Sequence, residues 1–427
     1  MLKRTKILLC LILAAMTLSL AACSDDDNGD DGNGDGDNGD NGDGELNCRE
    51  TPESDECRVP QVESKYNTRR CPELETHENL RYNEHFLNYG NATAMARKFN
   101  KSYGEDTLVN AGDAQVIQGR FWSAKTNLPA DGGGPANEEV VVFRSVDPDT
   151  PDGDWEILAE AVTDDDGNFE IELPEDDAFD RGRHRILSVL KADGTCVEHG
   201  VFVYEEGFET ILTDIDATLT TLDDEMLDQM MGDKGLDYVP KKFGASDEMT
   251  HAWDEKGYLM LYLSARPVDY LSWTRIWLRE EGFAYGPSKG ADNLVFGSTA
   301  AAYKQGYVEE ILNDLNWEIL FGYGNAFSDV DGYVDGGIPK EDCFMVNEAG
   351  CPEGSTDREC TCTNDSEDER CQKFDDLEDV PYAEQLGKAY RGVNEIPNSS
   401  YIANPDASYA DHIQEHIEPY PESSNPR

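Results

Sequence analysis

Two aspartates spaced by two, Asp214 and Asp216, directly follow the apolar run Phe208-Glu209-Thr210-Ile211-Leu212-Thr213. If that run is a strand of a parallel sheet, the pair stands at its carboxyl edge, where such sheets bind ligands. Carboxylates this close repel each other unless a cation lies between them, and Mg²⁺ prefers hard oxygen donors of this kind. The first carboxylate, Asp214, can attack phosphorus and form an aspartyl-phosphate. The second, Asp216, can protonate a leaving oxygen and then activate water. In a chain with 89 Asp and Glu the pair alone is only moderately specific.

Three further pieces follow in order. The apolar run Tyr258 to Leu263 ends in Ser264-Ala265-Arg266, where a hydroxyl and backbone amides can hold a phosphoryl oxygen. A plain strand-to-helix turn accounts for Ser264 equally well. Lys304 precedes Tyr307 and Val308 by three and four residues, so it points with the apolar face of its helix, which continues through Ile311, Leu312 and Leu315. A lysine on that face needs an anionic partner or must snorkel to solvent. Finally, Gly324-Asn325-Ala326-Phe327-Ser328-Asp329 follows the run Glu318 to Tyr323 and delivers Asp329, with Asp331 as the alternative, to the same edge as a metal ligand. That Gly-rich turn can also be merely a turn. Each piece is weak, and four in the right order, each at a strand end or helix start, are strong together.

These residues need a scaffold. From Gly207 onward, apolar runs alternate with helical stretches, Asp269 to Glu281 and Thr299 to Leu315, and Cys343 to Val346 reads as a last strand. This is the pattern of an α/β domain with a parallel sheet covered on both faces. Residues 112–206 read instead as short strands: Ala114 to Trp122, Val140 to Arg144, Trp155 to Val162, Phe169 to Leu173, Arg185 to Leu190 and Val201 to Tyr204. An antiparallel β-sandwich is expected there, with a hairpin turn at Asp165-Asp166-Gly167. Asp164 to Asp166 can hold a cation or simply form a solvated turn.

The ordered motifs Asp214-Ile215-Asp216-Ala217-Thr218-Leu219-Thr220, Gly257-Tyr258 into Leu263-Ser264-Ala265-Arg266-Pro267, Tyr303-Lys304, Gly322-Tyr323-Gly324-Asn325 with Asp329, and Val346-Asn347 resemble the haloacid dehalogenase superfamily of phosphohydrolases. More closely, they resemble its lipin-type phosphatidate phosphatase domain, shared in weakened form by phosphatidylinositol transfer proteins. The resemblance covers about 207–350, and the preceding sandwich resembles the one found before such domains in bacterial relatives. It implies a Rossmannoid parallel sheet with Asp214 as nucleophile and Asp216 as acid/base. It also implies Thr218 and Ser264 as phosphate ligands, Lys304 as charge stabiliser, and Mg²⁺ held by Asp214, Asp216 (through its backbone) and Asp329. Ala217 stands where the family usually has Gly. Both aspartates of the pair are kept, which favours an active enzyme over a phospholipid-binding module without turnover. About 45 residues separate the first motif from Ser264 and about 40 separate Ser264 from Lys304, which leaves no room for a large cap. An open site suits a bulky or membrane-embedded phosphate monoester, with phosphatidate the first substrate to try.

Ahead of these domains, Lys3, Arg4 and Lys6 precede an apolar run, Ile7 to Leu20, of signal-peptide length, ending in Leu20-Ala21-Ala22-Cys23. This resembles a bacterial lipoprotein signal, residues 1–23, in which Cys23 is lipidated. Ser24 rather than Asp at the next position favours the outer membrane of the envelope over the inner. Residues 24–46 are almost wholly Asp, Gly and Asn and read as an extended acidic tether. Residues 47–111 and 351–427 carry clustered cysteines, which in an exported protein read as disulfide-stapled segments. Setting aside Cys10 and Cys23 leaves nine cysteines, an odd number, so one thiol is expected to be left over, free or buried. The net charge, −54 from 35 basic and 89 acidic residues, excludes non-specific nucleic-acid binding and a polybasic hold on an anionic bilayer. A third role consistent with the sandwich is a surface scaffold. The lipid-anchor reading is tested by detergent partitioning: the mature chain should enter the detergent phase and Cys23→Ser should not, and equal solubility of the two would refute it.

Overall fold

The computed structural model describes residues 86–124, 132–147, 153–221, 238–339, 342–345 and 409–426 apart from isolated positions, together with Cys71, Leu74, Glu225, Asp228 and Gln229. All belong to the compact unit 45–427. The signal, the acidic tether, Cys23, Val346-Asn347 and the cysteines other than Cys71, Cys196 and Cys343 lie outside the described residues.

The first domain is a β-sandwich, entered through α1 (Tyr89–Met95) and flanked by a small sheet of β1 (Phe99–Asn100), β5 (Ser123–Ala124) and β6 (Gly132–Gly133). Its larger sheet joins β3 (Thr107–Asn110), β7 (Glu139–Ser145), β8 (Trp155–Val162), β10 (Gly182–Leu190) and β11 (Cys196–Tyr204) in the order β3-β11-β10-β7-β8. Facing it is the small sheet of β2 (Tyr103–Gly104), β4 (Val116–Arg120) and β9 (Asn168–Glu172), in the order β2-β4-β9. Ile117, Phe169, Val140, Val142, Ile186, Val201 and Val203 fill the space between them. Two expectations are corrected here. The sandwich begins ahead of residue 112, and it is not wholly antiparallel, because β3 lies parallel to β11 with Val201 opposite Thr107. A Cys71–Cys196 disulfide ties an upstream segment to the larger sheet. Cys196, isolated in the sequence, is therefore paired, and Cys343 is buried.

The second domain is built on a five-stranded sheet in the order β14-β13-β12-β15-β16. Its strands are β12 (Glu209–Asp214), β13 (Leu259–Pro267), β14 (Ser288–Ala291), β15 (Glu318–Gly324) and β16 (Cys343–Met345). Every pairing in it is parallel. Alternate residues of the central strands serve opposite faces, as a sheet covered on both sides requires. Ile211, Met260 and Tyr262 face Trp253 of α2 (Ser246–Glu255) and Trp273 and Trp277 of α3 (Leu271–Glu280). Leu212, Leu259, Leu261 and Leu263 face Tyr307 and Val308 of α4 (Ser298–Glu309) and Val330 and Tyr333 of α5 (Phe327–Gly336). Segment 409–426 is part of this domain, with Tyr409 and Ile417 in the same core as the tryptophans.

The two domains are joined by buried charge. The Asp106 carboxylate accepts from Arg275 Nη2 at 2.8 Å, from the Ser288 amide at 2.7 Å and from the Gly200 amide at 2.6 Å. It thus links β11 of the sandwich to α3 and β14 of the parallel sheet. Nearby, Lys101 is fully buried, donates to the Tyr270 hydroxyl at 3.1 Å and lies 3.8 Å from Asp269. Burial pulls Lys101 down to about 8 against the opposing pull of Asp269. Removing one partner of a buried pair strands the other charge. Asp106→Ala should therefore destabilise the protein by about 3–5 kcal/mol, measured by urea unfolding, with Arg275→Met in the same background restoring part of the loss.

Candidate functional site at the carboxyl edge of the parallel sheet

β12 runs out at Asp214, and the chain then folds into a tight loop. The Ile215 carbonyl accepts from the amides of Thr218, Leu219 and Thr220 at 3.3, 2.9 and 3.0 Å. The Ala217 amide donates to Thr220 Oγ1 at 2.9 Å. Ala217 itself is left-handed, with φ of 53°. That conformation is free for glycine and costs a residue with a Cβ roughly 1 kcal/mol, which is why Gly suits this position and why Ala is still tolerated. Thr218 is buried and donates from Oγ1 to Asp214 Oδ2 at 3.3 Å.

Lys304 does not snorkel. It is buried, and its Nζ donates to Asp214 Oδ1 at 2.5 Å and to Asp329 Oδ1 at 2.6 Å. Burial works against the ammonium, but the charges of Asp214 and Asp329 outweigh it and hold Lys304 above its ordinary range. Burial pushes the Asp214 carboxyl up; Lys304 pulls it down, while Asp329 and Asp216 add to the rise. Between the two downstream candidates, Asp329 meets Lys304. Its other oxygen, Oδ2, accepts from the amides of Asn325 and Ala326, both at 2.9 Å. The carboxylate so caps the first turn of α5, where anions are favoured.

Glycines allow this approach. A Cβ on Gly324 would stand 2.4 Å from the Asp329 Cβ. One on Gly332 would stand 2.6 Å from the Ala301 carbonyl and 3.0 Å from the Lys304 Cβ, and one on Gly336 would meet Val308. Gly332 and Gly336 lie one turn apart on α5 and let α4 lie close enough for Lys304 to reach Asp329.

Asp216 is turned a different way. Its carboxylate is gripped bidentately by Arg266, Nη2 to Oδ1 at 2.7 Å and Nε to Oδ2 at 3.0 Å, and accepts from Ser264 Oγ at 2.9 Å. Arg266 is braced in turn by Thr274 Oγ1 at 3.2 Å. Sequence reading placed Arg266 in its motif without giving it a role. The signal was available: Ser264 and Arg266 are two apart on a strand and so share a face. All six expected residues, Asp214, Asp216, Thr218, Ser264, Lys304 and Asp329, therefore gather at one edge. The Asp164 carboxylate, by contrast, closes its own turn on the Asp166 and Asn168 amides at 2.9 and 2.8 Å.

Whether this edge suits Mg²⁺ can be judged from its donors. Among the described residues no group of three His, Cys, Asp or Glu side chains is arranged to hold a metal, since the Asp216 side chain is committed to Arg266. The Asp214 and Asp329 carboxylates are hard oxygen donors of the kind a small divalent cation takes when backbone oxygen and water complete its shell.

Residues 211–347 match the family model for the LNS2 domain of PITM 1-3, and residues 101–203 match that for the PITM 1-3 beta-sandwich domain. The chain is 27% identical over 246 residues to Drosophila melanogaster protein retinal degeneration B, covering 57% of this chain and 18% of that one. It is 27% identical over 245 residues to Homo sapiens membrane-associated phosphatidylinositol transfer protein 1, again covering 57% and 18%. The chain thus spans less than a fifth of the length of these relatives. Its sandwich and parallel-sheet domains are homologous to those of the transfer proteins, whose LNS2 domain is haloacid dehalogenase-like.

The glycine contact carries its own test. Gly332→Ala should force α4 and α5 apart and cost about 1–3 kcal/mol of stability, seen in thermal unfolding, and should lengthen the Lys304–Asp329 contact in a crystal structure.

Proposed function

We propose that this chain is a Mg²⁺-dependent phosphatase that hydrolyses a phosphate monoester through an aspartyl-phosphate on Asp214, with phosphatidate as the first candidate substrate. The observation that carries this reading is the buried Lys304 ammonium joining Asp214 to Asp329, with Asp216 two residues from the nucleophile. A bound Mg²⁺ would supply charge neutralisation for the phosphoryl group. Asp214 Oδ1 is tied to Lys304, so Oδ2, which carries the longer hydrogen bond from Thr218, is the oxygen available for attack. As it bonds to phosphorus, the P–O bond to the alcohol breaks and a protonated Asp216 gives its proton to the departing oxygen. Asp216, now a carboxylate steadied by Arg266, then takes a proton from the water that attacks phosphorus. Inorganic phosphate leaves and both aspartates return to their starting states. Ser264 and Thr218 supply hydroxyls at the phosphoryl position, and Lys304 opposes its charge, the main lever in phosphoryl transfer.

In the same reading, Cys23 anchors the chain by lipid to a bacterial envelope, and the acidic tether lets the site reach a phospholipid substrate. A second reading is a phospholipid-binding module without turnover. It draws on the names of the transfer-protein relatives and on the fact that Lys304 and Arg266 already engage both members of the aspartate pair.

Phosphate release with and without Mg²⁺, on phosphatidate and on soluble phosphate monoesters, separates the two. Asp214→Asn should abolish turnover. Asp216→Asn should cost about 10²–10⁴-fold on an alkyl phosphate and much less on an aryl phosphate, whose leaving group needs little protonation. Lys304→Met should abolish turnover and, because it strands two buried carboxylates, destabilise the protein by about 3–5 kcal/mol. Full activity in folded Asp214→Asn would reject the phosphatase and leave the binding module.

A further inference from the structure

We infer that segment 409–426 is a working part of the catalytic edge, and that Tyr409 is a positioning residue for the loop that carries Asp214, Asp216 and Thr218. The segment lies beyond the residues matched by the LNS2 family model, which ends at 347. Tyr409 is fully buried against Phe243, and its hydroxyl donates to the Thr218 carbonyl. The loop is also held from outside at Asp216 by Ser264 and Arg266, and at Leu219, whose carbonyl accepts from the Phe243 amide at 2.9 Å. Tyr409 adds a hold between these two, on the backbone of Thr218, the residue whose side chain touches the Asp214 carboxylate.

The rest of the segment holds Tyr409 in place. His412 Nε2 lies 2.8 Å from the Tyr323 hydroxyl, which accepts from Trp253 Nε1 at 2.9 Å. Further on, Lys256 Nζ donates to the Tyr420 carbonyl at 2.6 Å, the Tyr258 hydroxyl to the Pro421 carbonyl at 3.1 Å, and Ser423 Oγ to Glu209 Oε2 at 2.7 Å. Glu209 opens β12 and Thr218 lies just past its close. The segment thus runs the length of the central strand, anchored at one end on the carboxyl edge and at the other on the amino edge. The purpose of the near anchor follows from the left-handed turn at Ala217. A loop held in an unfavourable backbone conformation relaxes unless its surroundings fix it, and small displacements of a nucleophile are costly in rate.

The role in turnover rests on the phosphatase reading above; the role in loop geometry does not. The test compares full-chain Tyr409→Phe, which removes one hydroxyl and keeps the ring, with Tyr258→Phe, which removes an anchor at the far edge. Amide hydrogen exchange over 215–220 and kcat and KM on an alkyl phosphate with Mg²⁺ are read on both. Tyr409→Phe should speed exchange of the loop amides and lower kcat, each about fivefold, the factor for one hydrogen bond, with KM unchanged, while Tyr258→Phe alters neither. Unchanged loop exchange in Tyr409→Phe, or equal losses in both variants, would overturn the assignment. A wild-type protein with no turnover but the expected exchange contrast would reject the phosphatase and leave the positioning role supported.

Discussion

An ammonium and two carboxylates withdrawn from water lose several kcal/mol each in hydration, and only close, well-directed contacts return it. Lys304, Asp214 and Asp329 meet that condition, and much of the second domain follows from it. α4 must present Lys304 on its buried face, α5 must present Asp329 at its first turn, and the two helices must nearly touch. Gly332 and Gly336 make that possible. Asp329 helps to satisfy the cost by serving twice, as the partner of Lys304 and as the acceptor for two amides at the helix start.

The other member of the aspartate pair sits in a different electrostatic setting two residues along the chain. Arg266 and Ser264 surround the Asp216 carboxyl with donors, while the Asp214 carboxyl is pressed upward by burial. Two chemically identical side chains are thereby placed in different surroundings by their neighbours. Arg266 comes from β13 and is braced by α3, and α3 is in turn the helix against which the sandwich docks through Asp106 and the 101–104 segment. The sandwich therefore supports the site at one remove.

The central strands, the Lys304 helix and the candidate site were legible in the sequence because their signals are local: an apolar run, a helical face, a charged residue at a strand end. Trp155–Val162 was read to its limits. What escaped depends on partners distant in the chain. Ser288-Lys289-Gly290-Ala291 has no apolar run and becomes an edge strand only because β13 and Asp106 receive its backbone. The parallel pairing of β3 with β11 leaves no trace in either segment alone. Tyr409 lies in a stretch that reads as a cysteine-bearing flank, and nothing nearby shows that its hydroxyl meets a loop 191 residues earlier.

That separation shapes how the protein comes into being. Contacts closing so long a stretch of chain form late, because the loop entropy must be met before they return anything. During synthesis the strands, helices and paired carboxylates can all assemble while Tyr409 is still to be made. The loop after β12 then receives its hold at Thr218 among the last events of folding, and a nascent or truncated chain would carry the whole constellation of charged residues without it.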